Sequence, residues 1–229
     1  MIRSRRLFGN SKGYVLKDLL QWYDAINRGS NLGIWKDIAP GGTNDGVVEN
    51  GVWLNKALQF NGINSIVSYS GLITPHYTIM GTMSVVHDVT LNTAKQPRFV
   101  DGTNSSYPGL YFRNTVDGKD VDFAYALWAH GKDQALTNPR TSPPDGTRVH
   151  VCYLFNGTHF RLYVNGVFIT EIAATTLPAN RTTNYLGGSK TTSNRYLKGE
   201  ICNFMRYGRV LTDMEIKQNF DEDSKRYMK

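Results

Sequence analysis

The sequence predicts an all-β fold, a two-sheet antiparallel sandwich, and three observations carry that prediction. Two Asn-Gly pairs, Asn156-Gly157 and Asn165-Gly166, each sit between runs of alternating apolar residues. Both residues tolerate positive φ, so such a pair is the strongest short-range signal for a β-hairpin. The middle of the chain, 77–135, alternates short apolar runs with clusters of Gly, Pro, Asn and Asp, as strands and turns do. Finally, 229 residues with no internal repeat suit one undivided β domain, and a hydrophobic content of 40% is enough for its core.

In chain order, residues 1–13 read as a flexible basic arm ahead of a single domain at 14–229. Over Tyr14–Ile26 two readings stay open on the residues alone. Val15, Leu16, Leu19, Leu20, Tyr23 and Ile26 fit a helical stripe, whereas Leu20–Ala25 fits a strand. In Ile34–Gly46, the glycines 41, 42 and 46 permit tight turns, and Asn44 and Asp45 can bond their own backbone. Leu58 and Phe60 alternate with Gln59 and Asn61, as in a strand buried on one face. Tyr77–His87 alternates in the same way. Arg98–Val100 and Gly109–Arg113 are two further strands around a turn-rich segment, and Val121–Trp128 follows the turn at Asp117-Gly118. The proline-rich stretch Asn138–Gly146 is a loop. Arg148–Phe155, Phe160–Val164 and Val167–Ile169 then form consecutive hairpins. Thr212 and Glu215 have the spacing of a capping box, in which each residue satisfies an orphan donor of the other, and so start a short helix.

The order of the C-terminal pieces is more specific than any one of them. "LYVNG" at Leu162–Gly166, "LGG" at Leu186–Gly188, "GEI" at Gly199–Ile201 and "RVLTDMEI" at Arg209–Ile216 together resemble half of a laminin G-like, concanavalin A-like jelly roll. Ile34–Gly46 is similar to that family's "WxDxSGxxNDG" segment, with Ala39-Pro40 where a small polar residue is usual. Leu58–Val67 resembles the stretch that opens the family's second sheet. The resemblance implies a two-sheet jelly roll over nearly the whole chain. It also favours the strand reading at Leu20–Ala25, because the family's first strand precedes a Gly/Asn/Ser loop such as Asn27–Asn31.

The net charge is +7, with Arg3, Arg5, Arg6 and Lys12 near one end and Lys225, Arg226 and Lys229 near the other. Such a balance favours anionic partners. The residues are read either as solvated termini or, for Arg3, Arg5 and Arg6, as an arm that docks on a larger assembly. No nucleic-acid-reading motif is present, so sequence-specific DNA or RNA binding is not expected. No apolar run is long enough to cross a bilayer. The first residues carry a signal peptide's charge without its apolar stretch, so no export signal is expected. Cys152 and Cys202 are then expected as buried thiols rather than a bridge.

The chemistry expected of the chain is binding, not catalysis. Retaining glucanases of this superfamily carry Glu-x-Asp-x-x-Glu on one strand, and no such triplet occurs here. The five histidines are scattered; His150 alternates with Val149 and Val151 and is expected on a sheet's outer face. No cofactor is expected, with calcium the one candidate, held by oxygens of Asp37, Asn44 and Asp45. Sugar sites combine flat aromatic faces with planar polar groups. Asp101, Asn104, Tyr107, Tyr111, Arg113 and Trp128 carry that mixture and are the candidate glycan-binding residues. Domains of this kind resemble those of bacteriophage virion proteins. That implies a capsid decoration protein, head fibre or tail-associated protein in a symmetric assembly, assembled in the host cytoplasm, with capsid or tail proteins as partners and polysaccharide as ligand. The alternative is a free carbohydrate- or protein-binding module.

Overall fold

The computed structural model is a layered β sandwich. It describes residues 13–71, 74–86, 97–101, 109–114, 123–129, 132–135, 146–173, 183–190 and 195–229; in 109–135 only the backbone is described, apart from Leu110. The strands are β1 (Leu19–Asp24), β2 (Ile34–Trp35), β3 (Gly46–Glu49), β4 (Val52–Leu54), β5 (Ala57–Asn61) and β6 (Ile66–Ser70). They continue with β7 (Tyr77–Val85), β8 (Gly109–Asn114), β9 (Phe123–Ala129), β10 (Lys132–Ala135) and β11 (Val149–Phe155). The last are β12 (His159–Val164), β13 (Val167–Ala173), β14 (Thr183–Leu186), β15 (Lys198–Ile201) and β16 (Asn203–Tyr207), followed by α1 (Asp213–Tyr227).

A nine-stranded sheet runs β13-β12-β11-β7-β15-β5-β4, with β16 pairing to β7 and β1 to β16. A four-stranded sheet runs β14-β6-β3-β2, and β8, β9 and β10 form a third, three-stranded sheet. All pairings are antiparallel, so alternate residues of each strand face opposite layers. Tyr23, Trp35, Phe60, Val67, Tyr69, Ile79, Met83, Val151, Leu186 and Phe204 fill the space between the two larger sheets. The other face of the nine-stranded sheet is also covered. There Trp22, Met80, Cys152, Leu154, Met205 and Tyr207 pack with Tyr14, Val15 and Ile216 of α1. The molecule therefore has three layers: helix, large sheet, small sheet.

That third layer changes two expectations. His150 does point away from Val149 and Val151, but α1 covers that face, and His150 is fully buried beside Phe220, ring centroids 5.8 Å apart. The helix is also longer than a short cap, 15 residues, because Ile216, Asn219, Asp223 and Tyr227 recur on one side and bury there. Its capping box is present in both directions. The two Asn-Gly turns differ. Asn165 and Gly166 both have positive φ, as a two-residue hairpin requires, whereas at the first turn only Gly157 does. There the Asn156 side chain accepts the N–H groups of Thr158 and His159 instead. Cys152 and Cys202 are free and buried. Burial pushes the Cys202 thiol up to about 12 and that of Cys152 well above its ordinary value, which leaves both unreactive near neutrality.

Candidate functional site

The loop between β2 and β3 is organised by one carboxylate. Asp37 accepts the N–H groups of Trp22, Ala39 and Asn44, and Asp45 accepts that of Asp37 while pairing with Lys36. The calcium candidates Asp37 and Asp45 thus spend oxygens on backbone donors and a lysine, tying β1 to the turn. Asn44 contributes its carbonyl oxygen to Gln21 and to the Tyr23 hydroxyl. Among the described residues, no group of three or more His, Cys, Asp or Glu side chains is arranged to hold a metal ion.

On the helix side lies a buried polar network. The Asp223 carboxylate accepts from the Tyr14 hydroxyl at 2.7 Å, the Thr82 hydroxyl at 2.8 Å and the Asn203 amide at 2.8 Å. His150 Nε2 stands 3.7 Å from it. Burial lowers the His150 pKa to about 3 and, against the hydrogen bonds it accepts, raises that of Asp223 to about 6. Val15 N–H donates to Asn219 and Gln218 donates to the Gly13 carbonyl, so residues 13–15 form a strap across α1. This network holds the helix down; it is closed to solvent.

The outer face of the four-stranded sheet is different. Asn184 and Leu186 of β14 point inward, so Tyr185 points out, opposite Ser68 of β6, which in turn lies opposite Val47 of β3. Glu49, one residue pair along β3, holds Lys190 at 2.5 Å. The Glu49 carboxylate raises the Lys190 pKa, and the Tyr185 and Tyr196 hydroxyls act on it in the same direction. Tyr196 lies against Gly188, where an added Cβ would come within 2.5 Å of its ring. Tyr185, Tyr196, Ser68 and Glu49 are half-buried, and Val47 and Lys190 are exposed. Two phenol rings, a hydroxyl and an ion pair therefore share one accessible, rigidly backed surface.

Of the glycan candidates read from the sequence, Asp101 is the one that meets this face from the side. Its N–H donates to the Tyr185 carbonyl at 2.9 Å, but its side chain is buried. Register puts Tyr111, Arg113 and Trp128 at positions on one face of the three-stranded sheet, since Tyr111 lies opposite Ala126 and Trp128 opposite Gly109. Asn104, Tyr107 and the arm residues Arg3, Arg5 and Arg6 lie outside the described residues. Sequence reasoning missed Tyr185 and Tyr196. Tyr185 stands next to the "LGG" motif and was legible as an aromatic in a strand; Glu49, which pairs with the neighbouring Lys190, lies far away in sequence.

The layers define a lectin-type β sandwich. A family profile of the concanavalin A-like lectin/glucanases superfamily matches residues 77–217, and the chain belongs to that superfamily. No curated protein sequence matches the chain. Among solved structures, Trypanosoma rangeli sialidase is similar at 17% identity with a TM-score of 0.65, covering 89% of this chain and 32% of the enzyme. The botulinum neurotoxin serotype D binding domain is similar at 13% identity with a TM-score of 0.68, covering 91% of this chain and 52% of that one. The chain thus spans about a third of the sialidase and half of the toxin domain, and the likeness is one of fold. The sialidase match corrects the expectation of a protein with no part in catalysis. An enzyme contains this fold, so a missing Glu-x-Asp-x-x-Glu triplet does not place the chain outside enzymes.

Proposed function

We propose that this chain is a glycan-binding module whose ligand face is the outer surface of the four-stranded sheet. The observation that carries the reading is the grouping of Tyr185 and Tyr196 with the Lys190–Glu49 pair and Ser68 on a sheet whose other face is core. Phenol rings offer flat apolar area to the C–H face of a sugar, and the polar groups fix its hydroxyls. Membership of a lectin and glucanase superfamily supports it. Binding measured on glycan arrays and by titration is expected to fall about tenfold on Tyr185→Ala or Tyr196→Ala, the scale of one lost aromatic platform. Binding that survives both substitutions sinks the reading.

We further infer a setting for the module, display on a bacteriophage particle as a capsid decoration, head fibre or tail-associated protein. Its support is the resemblance of Trp35–Gly46 and Leu58–Gly62 to virion domains, together with Arg3, Arg5 and Arg6 preceding the strap at residues 13–15. The strap lies on the helix layer, at the opposite side of the molecule from Tyr185. A docked arm would leave the sugar face outward. Mass spectrometry of purified particles from the source is the test; particles without the protein reject the setting.

A further inference from the structure

The chemistry of this face also selects among glycans, given that it is a glycan site. Lys190 and Glu49 are both about two-fifths exposed, and an exposed pair of that kind contributes at most about 1 kcal/mol to a fold. What it does provide is a donor and an acceptor side by side. Lysine has three N–H donors, of which Glu49 takes one; a carboxylate has two acceptor oxygens, of which Lys190 uses Oε1. Glu49 Oε2 accepts no hydrogen bond among the described residues. Each hydroxyl of a sugar both donates and accepts. Two adjacent ring hydroxyls therefore match the pair, one accepting from Lys190 and the other donating to Glu49.

Charge decides the rest. Lys190 is already neutralised by Glu49, so a carboxylated or sulfated sugar approaching the ammonium meets a carboxylate at the same place. Like charges within a few ångströms repel, and Glu49 stands 2.5 Å from the ammonium. Tyr196, backed by Gly188, supplies the stacking surface, and Tyr185 and Ser68 supply further hydroxyls. We propose that this face takes a neutral pyranoside through a vicinal diol bridged between Lys190 and Glu49, with the sugar's C–H face on Tyr196. The overall charge of +7 would by itself draw polyanions to the protein, but that attraction is diffuse and salt-sensitive, whereas diol binding is not.

The test is titration of the intact protein with methyl glycosides of glucose, galactose and mannose. N-acetylneuraminic acid and polygalacturonate serve as the anionic set, and both sets are run at low and high salt. The expected result is binding of a neutral glycoside that changes by less than about twofold with salt. It should weaken about tenfold on Glu49→Gln and on Lys190→Met, surface substitutions that leave the core untouched. If anionic glycans bind instead, are lost with Tyr196→Ala and bind more tightly to Glu49→Gln, the glycan face stands and the neutral-diol inference is overturned. If neither set binds, or binding ignores Tyr185→Ala and Tyr196→Ala, the glycan-site reading itself fails and the inference falls with it.

Discussion

His150 is a titratable side chain buried beneath α1. Its ring is fully buried, neither nitrogen makes a hydrogen bond among the described residues, and its acidic neighbour is Asp223 at 3.7 Å. The groups facing that pair are Tyr14 from the strap, Thr82 from β7, Asn203 at the start of β16, and Arg226, whose charge acts on Asp223. With a folded pKa of about 3 against an ordinary 6.5, His150 stays neutral in the fold while the unfolded chain takes up a proton. Its contribution to stability is complete above pH 6.5 and is lost as pH falls towards 3, at roughly 1.4 kcal/mol per pH unit before coupling. Asp223 works the other way. Its folded pKa is raised to about 6, so the stability it contributes is present below its ordinary 3.8 and is lost as pH rises through 6. Between pH 4 and 6 the two slopes oppose each other, and the wild-type melting temperature should be nearly flat there. His150→Leu removes one of them without orphaning any partner, so its melting temperature should rise as pH is lowered from 6.5 to 4. A parallel decline in both proteins would refute this. The face on which His150 sits was legible from its alternation with Val149 and Val151. Its burial was not, because the cover comes from α1, more than sixty positions on, and alternation carries no information about a third layer.

At the scale of elements, two sequence motifs turn out to be halves of one contact. "LGG" places Gly187 at φ +74°, with the Phe60 ring so close that an added Cβ would stand 2.0 Å from it. Phe60 is the aromatic of Leu58–Gly62, and Gly187 N–H donates to the Phe99 carbonyl. The two motifs therefore join the end of β14 to β5, bridging the two sheets. Gly187→Ala meets both a left-handed backbone and a ring, and should destabilise by about 3 kcal/mol. Phe60→Leu, which replaces that ring with a smaller aliphatic side chain, should cost less in the Gly187→Ala background than alone, a coupling readable in a double-mutant cycle of denaturant midpoints. Additive effects would mean that the motifs act separately. The hairpins and the helix cap were readable locally, since each depends on residues within a few positions, whereas the first strand was open between helix and strand until the family resemblance favoured the strand. Strand pairing was not readable locally: β15 lies between β7 and β5, and β16 joins β7 to β1, choices made by burial across the whole chain. The same holds for the candidate site, since Lys190 meets Glu49 only when β14 and β3 flank β6.

For the molecule as a whole, the three layers give the protein two unlike ends, and the strap shows where one of them begins. Gly13, Tyr14 and Val15 are held by Gln218, Asp223 and Asn219 of α1, and Tyr207 donates back to the Val15 carbonyl. An added Cβ at Gly13 would meet the Glu222 side chain at 2.3 Å, so the chain enters the fold hard against the helix. Gly13 is thereby anchored at the helix layer, with the large sheet between it and the Tyr185 face. Two truncations separate folding from docking. Removing residues 1–12 leaves every strap contact in place and should shift stability by no more than about 0.5 kcal/mol, with glycan affinity unchanged. Removing residues 1–16 takes away the buried Tyr14 and Val15, and with them one of the three donors to Asp223 and the Val15 N–H that donates to Asn219. It should lower stability by at least about 4 kcal/mol and loosen α1, seen as faster amide exchange in Ile216–Tyr227. If the shorter truncation alone destabilises the fold, residues 1–12 pack on the domain and are not an arm. If it folds, binds glycan and yet fails to associate with the particle, then docking and ligand capture reside on opposite layers of one sandwich.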